Sequence, residues 1–286
     1  MYAATEGQYT LLVLPDSDPP NPREGGCFGR MVCWHRRYRL GEAHDYDAPI
    51  DFLRELYRGA VDDGGKRLVS FLKSGKARDA RLEYNRNTRE WALYERCWWH
   101  SDSESPWECF CSAPEAQLND PGAFLDDMLA ALAIDDLKAL LAEREDVVIL
   151  PLFLYDHSVQ SLSTAPFIGR APHAEWDSGQ AGYIYADRKA LLDNYGPMTP
   201  QTRKQAEALL RAEVEVYDRY LRSECYGFRL YEDGEETDSC WGFLGEPEDW
   251  LEDLKACLPA EAQALADKLE YTYESEDSYL KKHLAA

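Results

Sequence analysis

The sequence predicts an α+β protein with a largely antiparallel sheet. Three observations predict it. Strand-like and helix-like apolar patterns follow one another in mixed order rather than in strict alternation. Two pairs of alternating runs are joined by short polar turns, at Asn85-Arg86-Asn87 and at Asp233-Gly234, as β-hairpins are. Separate stretches carry apolar residues at helical spacing, the longest opening at Thr199-Pro200.

The elements can be justified in order. Tyr9 to Leu14 (YTLLVL) is a short apolar strand stopped by PDSDPPNP, a turn by its Pro and Asp density. RMVCWHRRYRL alternates enough to be a strand with Val32 and Trp34 on one face. Asp47-Ala48-Pro49 opens a helix carrying Ile50, Leu53, Leu56 and Tyr57. The segment from Ala80 to Trp99 is a hairpin, and Ser101 to Pro114 is a Ser, Glu and Pro loop. A helical pair follows, with Asn119 or Asp120 as cap, Pro121 in the first turn, and Phe124, Leu125, Met128, Leu129 and Leu132 as its stripe. Asp135 opens the continuation through Leu137, Leu140 and Leu141. Val147 to Tyr155 (VVILPLFLY) and Ala181 to Ala186 (AGYIYA) are buried strands, Pro151 favouring an edge or a bulge in the first. The helix after Thr199-Pro200 buries Ala206, Leu210, Val214, Tyr217 and Leu221. A hairpin turning at Asp233-Gly234 and a helix with Trp250, Leu251 and Leu254 complete the pattern. With no repeats and no long linker, the expectation is a single domain over 1–286. Within it, 80–114 is a hairpin and loop excursion and 244–286 an acidic helical C-terminal segment.

Composition excludes several classes. At 286 residues and 45% hydrophobic content the chain can bury a substantial core. No run approaches the roughly 18 apolar residues that a membrane span needs. The first residues, MYAATEGQYTLLVLPDSDPP, lack a basic lead and a long apolar core, so a secretory signal is not expected and the cytoplasm is. The eight cysteines are then reduced thiols or metal ligands rather than a disulfide framework. A net charge of −22 argues against direct nucleic-acid or anionic-membrane binding, which needs clustered Lys and Arg. The acid is uneven: Glu224 to Tyr279 holds 17 Asp and Glu against Arg229, Lys255 and Lys268. Such a flank suits a basic partner surface, or simple solubility.

Four segments resemble, in the same order, a family of proteins from bacteriophages and other mobile elements. They are NPREGGCFGRMVCWHRRYRLG (21–41), YDHS (155–158) followed by STAPF, WDSGQAGYIY (176–185), and EVEVYDRYL with CYGFRL and DSCWGF (213–243). The chain departs from the family pattern at Gly25-Gly26-Cys27, at Val159 and in 80–114. The resemblance implies no fixed chemistry. It implies an accessory protein acting in a bacterial host's cytoplasm, on host defence or nucleic-acid machinery, with a host protein as partner.

Candidate chemistry centres on two polar clusters, Asp156-His157-Ser158 and Trp176-Asp177-Ser178-Gly179-Gln180. His157 precedes Cys240, an order that some cysteine hydrolases use. Asp156 or Asp177 is available to orient the imidazole, and Gln180 or the Gly242 amide to serve an oxyanion. SCWGF shares the SCW of papain-type enzymes but lacks the preceding Cys-Gly and a convincing downstream histidine. A Ser-His-Asp set within Asp156-His157-Ser158 is disfavoured, because sequence neighbours seldom aim at one atom. Cys97, His100, Cys109 and Cys111 form a possible zinc set, with an all-aromatic cluster as the plain alternative. Asp156, His157, Asp177 and Glu213 form a possible hard-cation set. Otherwise no cofactor is expected. The structural alternative is that both clusters are strand-end loops bonded to themselves and to each other. As binding residues the expectation is Asp156, Ser158, Trp176 and Gln180 in a pocket, with Trp241 an aromatic anchor. Two readings result: an acidic binder of a host macromolecule, and a Cys-His or metal-dependent hydrolase on His157, Asp177 and Cys240.

Overall fold

The structure is a computed structural model that describes residues 1–60, 65–97, 106–119 and 121–283. In chain order its strands and helices are β1 (Tyr2–Glu6), β2 (Tyr9–Pro15), β3 (Arg30–Cys33), α1 (Pro49–Ala60), α2 (Lys66–Lys73), β4 (Ala80–Asn85), β5 (Glu90–Arg96), β6 (Trp107–Pro114) and α3 (Glu115–Asn119). After a short 3-10 turn over Pro121–Phe124 come α4 (Leu125–Ala130), α5 (Ile134–Ala142), β7 (Val148–Asp156), β8 (Gln160–Ser163), α6 (Ala174–Asp177), β9 (Ser178–Ala186) and α7 (Arg188–Tyr195). The remainder is α8 (Pro200–Leu221), β10 (Cys225–Glu232), β11 (Glu235–Leu244), α9 (Pro247–Cys257), α10 (Gln263–Ala266), β12 (Glu270–Tyr271) and α11 (Glu276–His283). Every strand pairing with a described register is antiparallel, and the fold class is α+β.

The chain divides into two compact units: 1–27 with 151–181 and 211–286, and 28–150 with 182–210. The first unit is built on a five-stranded sheet in the order β11-β10-β2-β1-β12. Both faces of its central strand are covered. Leu11 and Val13 pack with Phe228, Leu230, Trp250, Leu254 and Leu265, so α9 and α10 lie on one face. Leu12 packs with Ala3 and Tyr231 on the other, where Tyr279 and Leu280 of α11 join them. A strand buried on both sides is apolar at successive positions, which is why Leu11-Leu12-Val13 does not alternate; the buried Thr10 hydroxyl is bonded to that of Thr5 at 3.1 Å. Burying each such side chain stabilises the unit by about 1.5–3 kcal/mol. The Asp233-Gly234 turn joins β10 to β11 with both residues left-handed (φ 49° and 87°), as a two-residue hairpin turn demands.

In the second unit α1, α2, α4 and α5 bury Phe52, Leu53, Leu68, Leu72, Met128, Leu137 and Leu141 against Leu82 and Leu93 of a β4-β5-β6 sheet. Tyr183 and Tyr185 complete that core. Three elements differ from the sequence expectation. Trp107–Pro114, read as loop, is the strand β6; Cys111 and Ala113 turn toward the interior, while a register shift opposite Leu93 and Tyr94 and a polar composition mask the strand in the sequence. The strand expected over 30–40 stops at Cys33, because the His35 imidazole Nδ1 accepts the amides of Arg37 and Tyr38 and turns the chain. Phe124 sits in the 3-10 turn, so the helical stripe begins one residue later at Leu125. Asp120 lies outside the described residues.

Two buried charged side chains are held by hydrogen bonds in this unit. The Arg144 guanidinium, 3% exposed, donates Nε and Nη2 to the Asp146 carboxylate at 2.8 Å each and Nη2 also to the Ala60 carbonyl. Asp136 accepts the Arg78 amide at 3.0 Å, and burial holds its carboxyl above the ordinary range.

Candidate functional site

The two polar clusters meet in the first unit. The β7–β8 turn carries Asp156, His157 and Ser158; α6 and the start of β9 carry Trp176, Asp177 and Gln180. His157 Nδ1 lies 2.9 Å from Asp177 Oδ2. The pair is open to solvent, with side chains 50% and 31% exposed. His173, left-handed at φ 55°, starts α6, and its ring lies 6.0 Å from that of His157. Tyr155 anchors the turn: its ring stacks on His157 and Phe167, and its hydroxyl donates to the Pro172 carbonyl at 2.9 Å. Ser178 donates to the Ala174 carbonyl at 2.6 Å, and Trp176 stands 88% exposed. Asp156, at the end of β7, stands opposite Gln160 in the backbone register of the hairpin. Ser158 and Gln180 are exposed. A carboxylate-held, solvent-exposed imidazole can pass a proton to a bound group or a water molecule.

Cys240 does not join this pair. It lies on β11 opposite Phe228, packed toward the Trp250 cluster, because strand alternation gives both the same face. Its thiol neighbours are the Trp241 carbonyl at 3.9 Å and Cys257 at the end of α9. Burial first, then Cys240, Asp253 and Asp238, push the Cys257 thiol up, so that thiol is protonated near neutral pH. Among the described residues no hydrogen bond or ring contact joins His157 to Cys240. The triad expected from chain order is thus not assembled, and the Gly242 amide belongs to the same strand as Cys240.

The motif segments are also tied to one another. Arg23 of NPRE, its side chain 3% exposed, donates to Glu213 of EVEVYDRYL at 3.1 Å. Asp218, five residues further along α8, accepts Ser161 Oγ at 2.8 Å and the Leu162 amide at 2.6 Å. Arg211 donates to Thr164 of STAPF at 2.5 Å. These bonds border an open cleft of about 700 Å³ whose wall includes Tyr155, Thr164, Phe167 and Arg211. Arg222, also on that wall, is matched by Asp218 at 3.8 Å and Glu224 at 2.6 Å. Nothing in the sequence announced the Arg23–Glu213 pair, which spans 190 positions.

The metal-ligand sets fare differently. Of the proposed zinc residues, His100 lies outside the described residues. Cys97 is buried, Cys109 exposed and Cys111 half-buried. Burial, then the charges of Asp127 and Cys109, pushes the Cys111 thiol up to about 11. Of the hard-cation set, His157 and Asp177 touch, and Glu213 pairs with Arg23. No group of three or more His, Cys, Asp or Glu positioned to hold a metal ion occurs among the described residues.

Charge separates the units. The first holds 27 acidic against 10 basic residues, net −17; the second holds 26 against 21, net −5. All 17 acids between Glu224 and Tyr279 are exposed or half-exposed. Trp241, 42% exposed, lies flat across Gly227 of β10, where a Cβ would fall 2.1 Å from its ring, and the Arg229 guanidinium sits 5.8 Å from the ring centre. Among the described residues no helix is long and apolar enough to cross a membrane. The chain matches no family model, no curated protein and no solved structure.

Proposed function

We propose that this chain is a phage or mobile-element accessory protein that binds a basic host protein through the acidic surface of its first unit, in the host cytoplasm. It would thereby antagonise host defence or nucleic-acid machinery. The observation that carries this reading is the net charge of −17 on that unit, with its C-terminal acids directed outward. Such a field steers a cationic partner and repels nucleic acid. Exposed Trp241, Tyr271 and Tyr273 supply aromatic anchors. The resemblance of the four motif segments supplies the biological setting, and the mutual bonding of those segments favours a scaffold role for them. The test is capture from host lysate at low and high salt: a specific partner should be retained at low salt and released as the Debye length falls from about 10 Å to about 3 Å. A salt-indifferent complex would count against steering.

A second reading rests on one contact, the exposed His157–Asp177 pair at 2.9 Å. There the protein is a hydrolase with His157 as general base, acting on water rather than on Cys240, with or without a metal ion. Under that reading His157→Ala abolishes function and leaves the thermal transition in place.

A further inference from the structure

The acidic surface includes both edges of the five-stranded sheet, the two-residue β12 and the much longer β11. β11 is ten residues long and ends the five-stranded sheet, with β10 its one strand partner among the described residues. Seven of its residues are exposed, Glu235 to Ser239 with Trp241 and Gly242. A long exposed edge is a template for pairing with another strand, and natural proteins blunt such edges or use them.

The charge on this edge selects the occupant. Glu235, Glu236 and Asp238 lie on the strand, Asp233 in the turn before it, and Asp253 on α9 near Cys257. Glu236 has Arg229 at 3.9 Å, whereas Glu235 and Asp238 have no cation within salt-bridge distance among the described residues. A second copy pairing edge to edge would set acids opposite acids at about 4.5–5.5 Å, which is unfavourable. A nucleic-acid strand would meet the same repulsion. An extended chain with alternating cations meets neither objection, and Trp241 offers a flat apolar contact on one face. We propose that the outer edge of β11 accepts an extended lysine- or arginine-rich peptide segment as a sixth strand of this sheet. The inference rests on the acidic-surface reading and adds the element, the backbone geometry and the partner's local chemistry.

The probe is a capped peptide as long as β11 (ten residues) in which Lys alternates with Val and Thr. Binding is measured by anisotropy, and amide hydrogen exchange of 235–244 reports strand formation. The peptide should bind and slow exchange across 235–244. The same peptide methylated at alternate backbone nitrogens keeps its charge but loses ladder bonds; it should bind at least about tenfold more weakly. The triple variant Glu235→Lys, Glu236→Lys, Asp238→Lys changes only exposed side chains and should weaken the unmethylated peptide about tenfold. Equal binding of both peptides would mean charge attraction without strand addition; it would overturn the inference and leave the acidic-surface reading standing. Absence of binding would overturn it also, while salt-labile capture of a host protein would continue to test the broader reading. Protection of 235–244 in the absence of peptide, with a dimer by sedimentation, would assign the edge to a second copy and refute the proposal.

Discussion

Replacing Gly182 with alanine should be among the most damaging single-methyl changes available to this chain. Gly182 pairs with Cys33 where β9 meets β3. A Cβ there would lie 2.1 Å from the Val32 carbonyl oxygen, 2.8 Å from Cys33 Cα and 2.9 Å from Cys33 Sγ. Carbon and oxygen ordinarily approach no closer than about 3.3 Å, so the strands must part by about 1.2 Å. Two of the obstructing atoms are main chain, which no rotamer change can move. Overpacking costs about 1–3 kcal/mol, and stretching a ladder only four pairs long forfeits about 1 kcal/mol for each bond lost. The expected total is about 3 kcal/mol. The second unit has 152 residues (28–150 and 182–210), so its thermal midpoint should fall by about 6–12 °C. Gly179, three positions earlier in the same motif, is the control: its Cβ would meet nothing within 4 Å and its φ is not left-handed. Gly179→Ala should stay within about 0.5 kcal/mol of the parent. Thermal and urea unfolding followed by circular dichroism report both. Equal stability of the two variants would refute the assignment of Gly182 to close strand approach.

Other perturbations separate scaffold from surface. Glu213→Ala removes the carboxylate beside the buried Arg23 and should cost about 3 kcal/mol in urea unfolding, while Arg23→Met with Glu213→Leu should recover more than half of it. The Tyr231 phenol is pushed up to about 12, by burial and then by its bond to Glu276. The unfolded chain gives up that proton first, near its ordinary 10, so the stabilisation is complete below pH 10 and is lost as pH rises toward about 12. Urea midpoints across that window should fall less steeply in Tyr231→Phe than in the parent. His157→Gln and Asp177→Asn break an exposed pair and should each change stability by less than about 1 kcal/mol. A loss above about 2 kcal/mol would make the pair a structural clamp rather than an available acid–base group.

Local pattern was legible where one residue type decides local geometry. Asp233-Gly234 marked its hairpin because few residues tolerate two successive left-handed positions. Pro49 and Thr199-Pro200 marked helix starts, and in the second Thr199 Oγ1 accepts the Thr202 amide as a cap should. Legibility ended where a decision depended on distant chain. β6 hid because only Ala113 is fully buried, Trp107 and Cys111 are half-buried among polar neighbours, and a register shift opposite Leu93 and Tyr94 breaks the period-two signal. Both aspartates near His157 were equally plausible partners by sequence. The fold brings Asp177, twenty positions away, to 2.9 Å from the imidazole, a proximity that residue order does not carry. Chain order made Cys240 a candidate nucleophile, yet order carries no distance, and β11 directs it to the Trp250 cluster instead.

The excess acid is the feature that folding does not explain. A unit at −17 repels itself, and that repulsion opposes compactness. Surface pairs such as Lys255 with Glu252 and Asp267 return at most about 1 kcal/mol each. The unit is held by its apolar interior, Leu11, Val13, Phe228, Trp250 and Leu254, which would pack equally well beneath neutral side chains. Solubility asks for a net charge of only about 2–8 on a small domain. Charge beyond that level, set along an exposed strand edge beside Trp241, costs stability without serving the fold. Under the proposed function a cationic partner would account for it: the self-repulsion would be relieved on binding, and that relief would add to the affinity. Neutralising Glu235, Glu236 and Asp238 as Gln and Asn should therefore raise the stability of the unliganded protein while weakening its capture of a basic partner. A variant that gained stability with capture intact would show that these three acids serve neither the fold nor the partner.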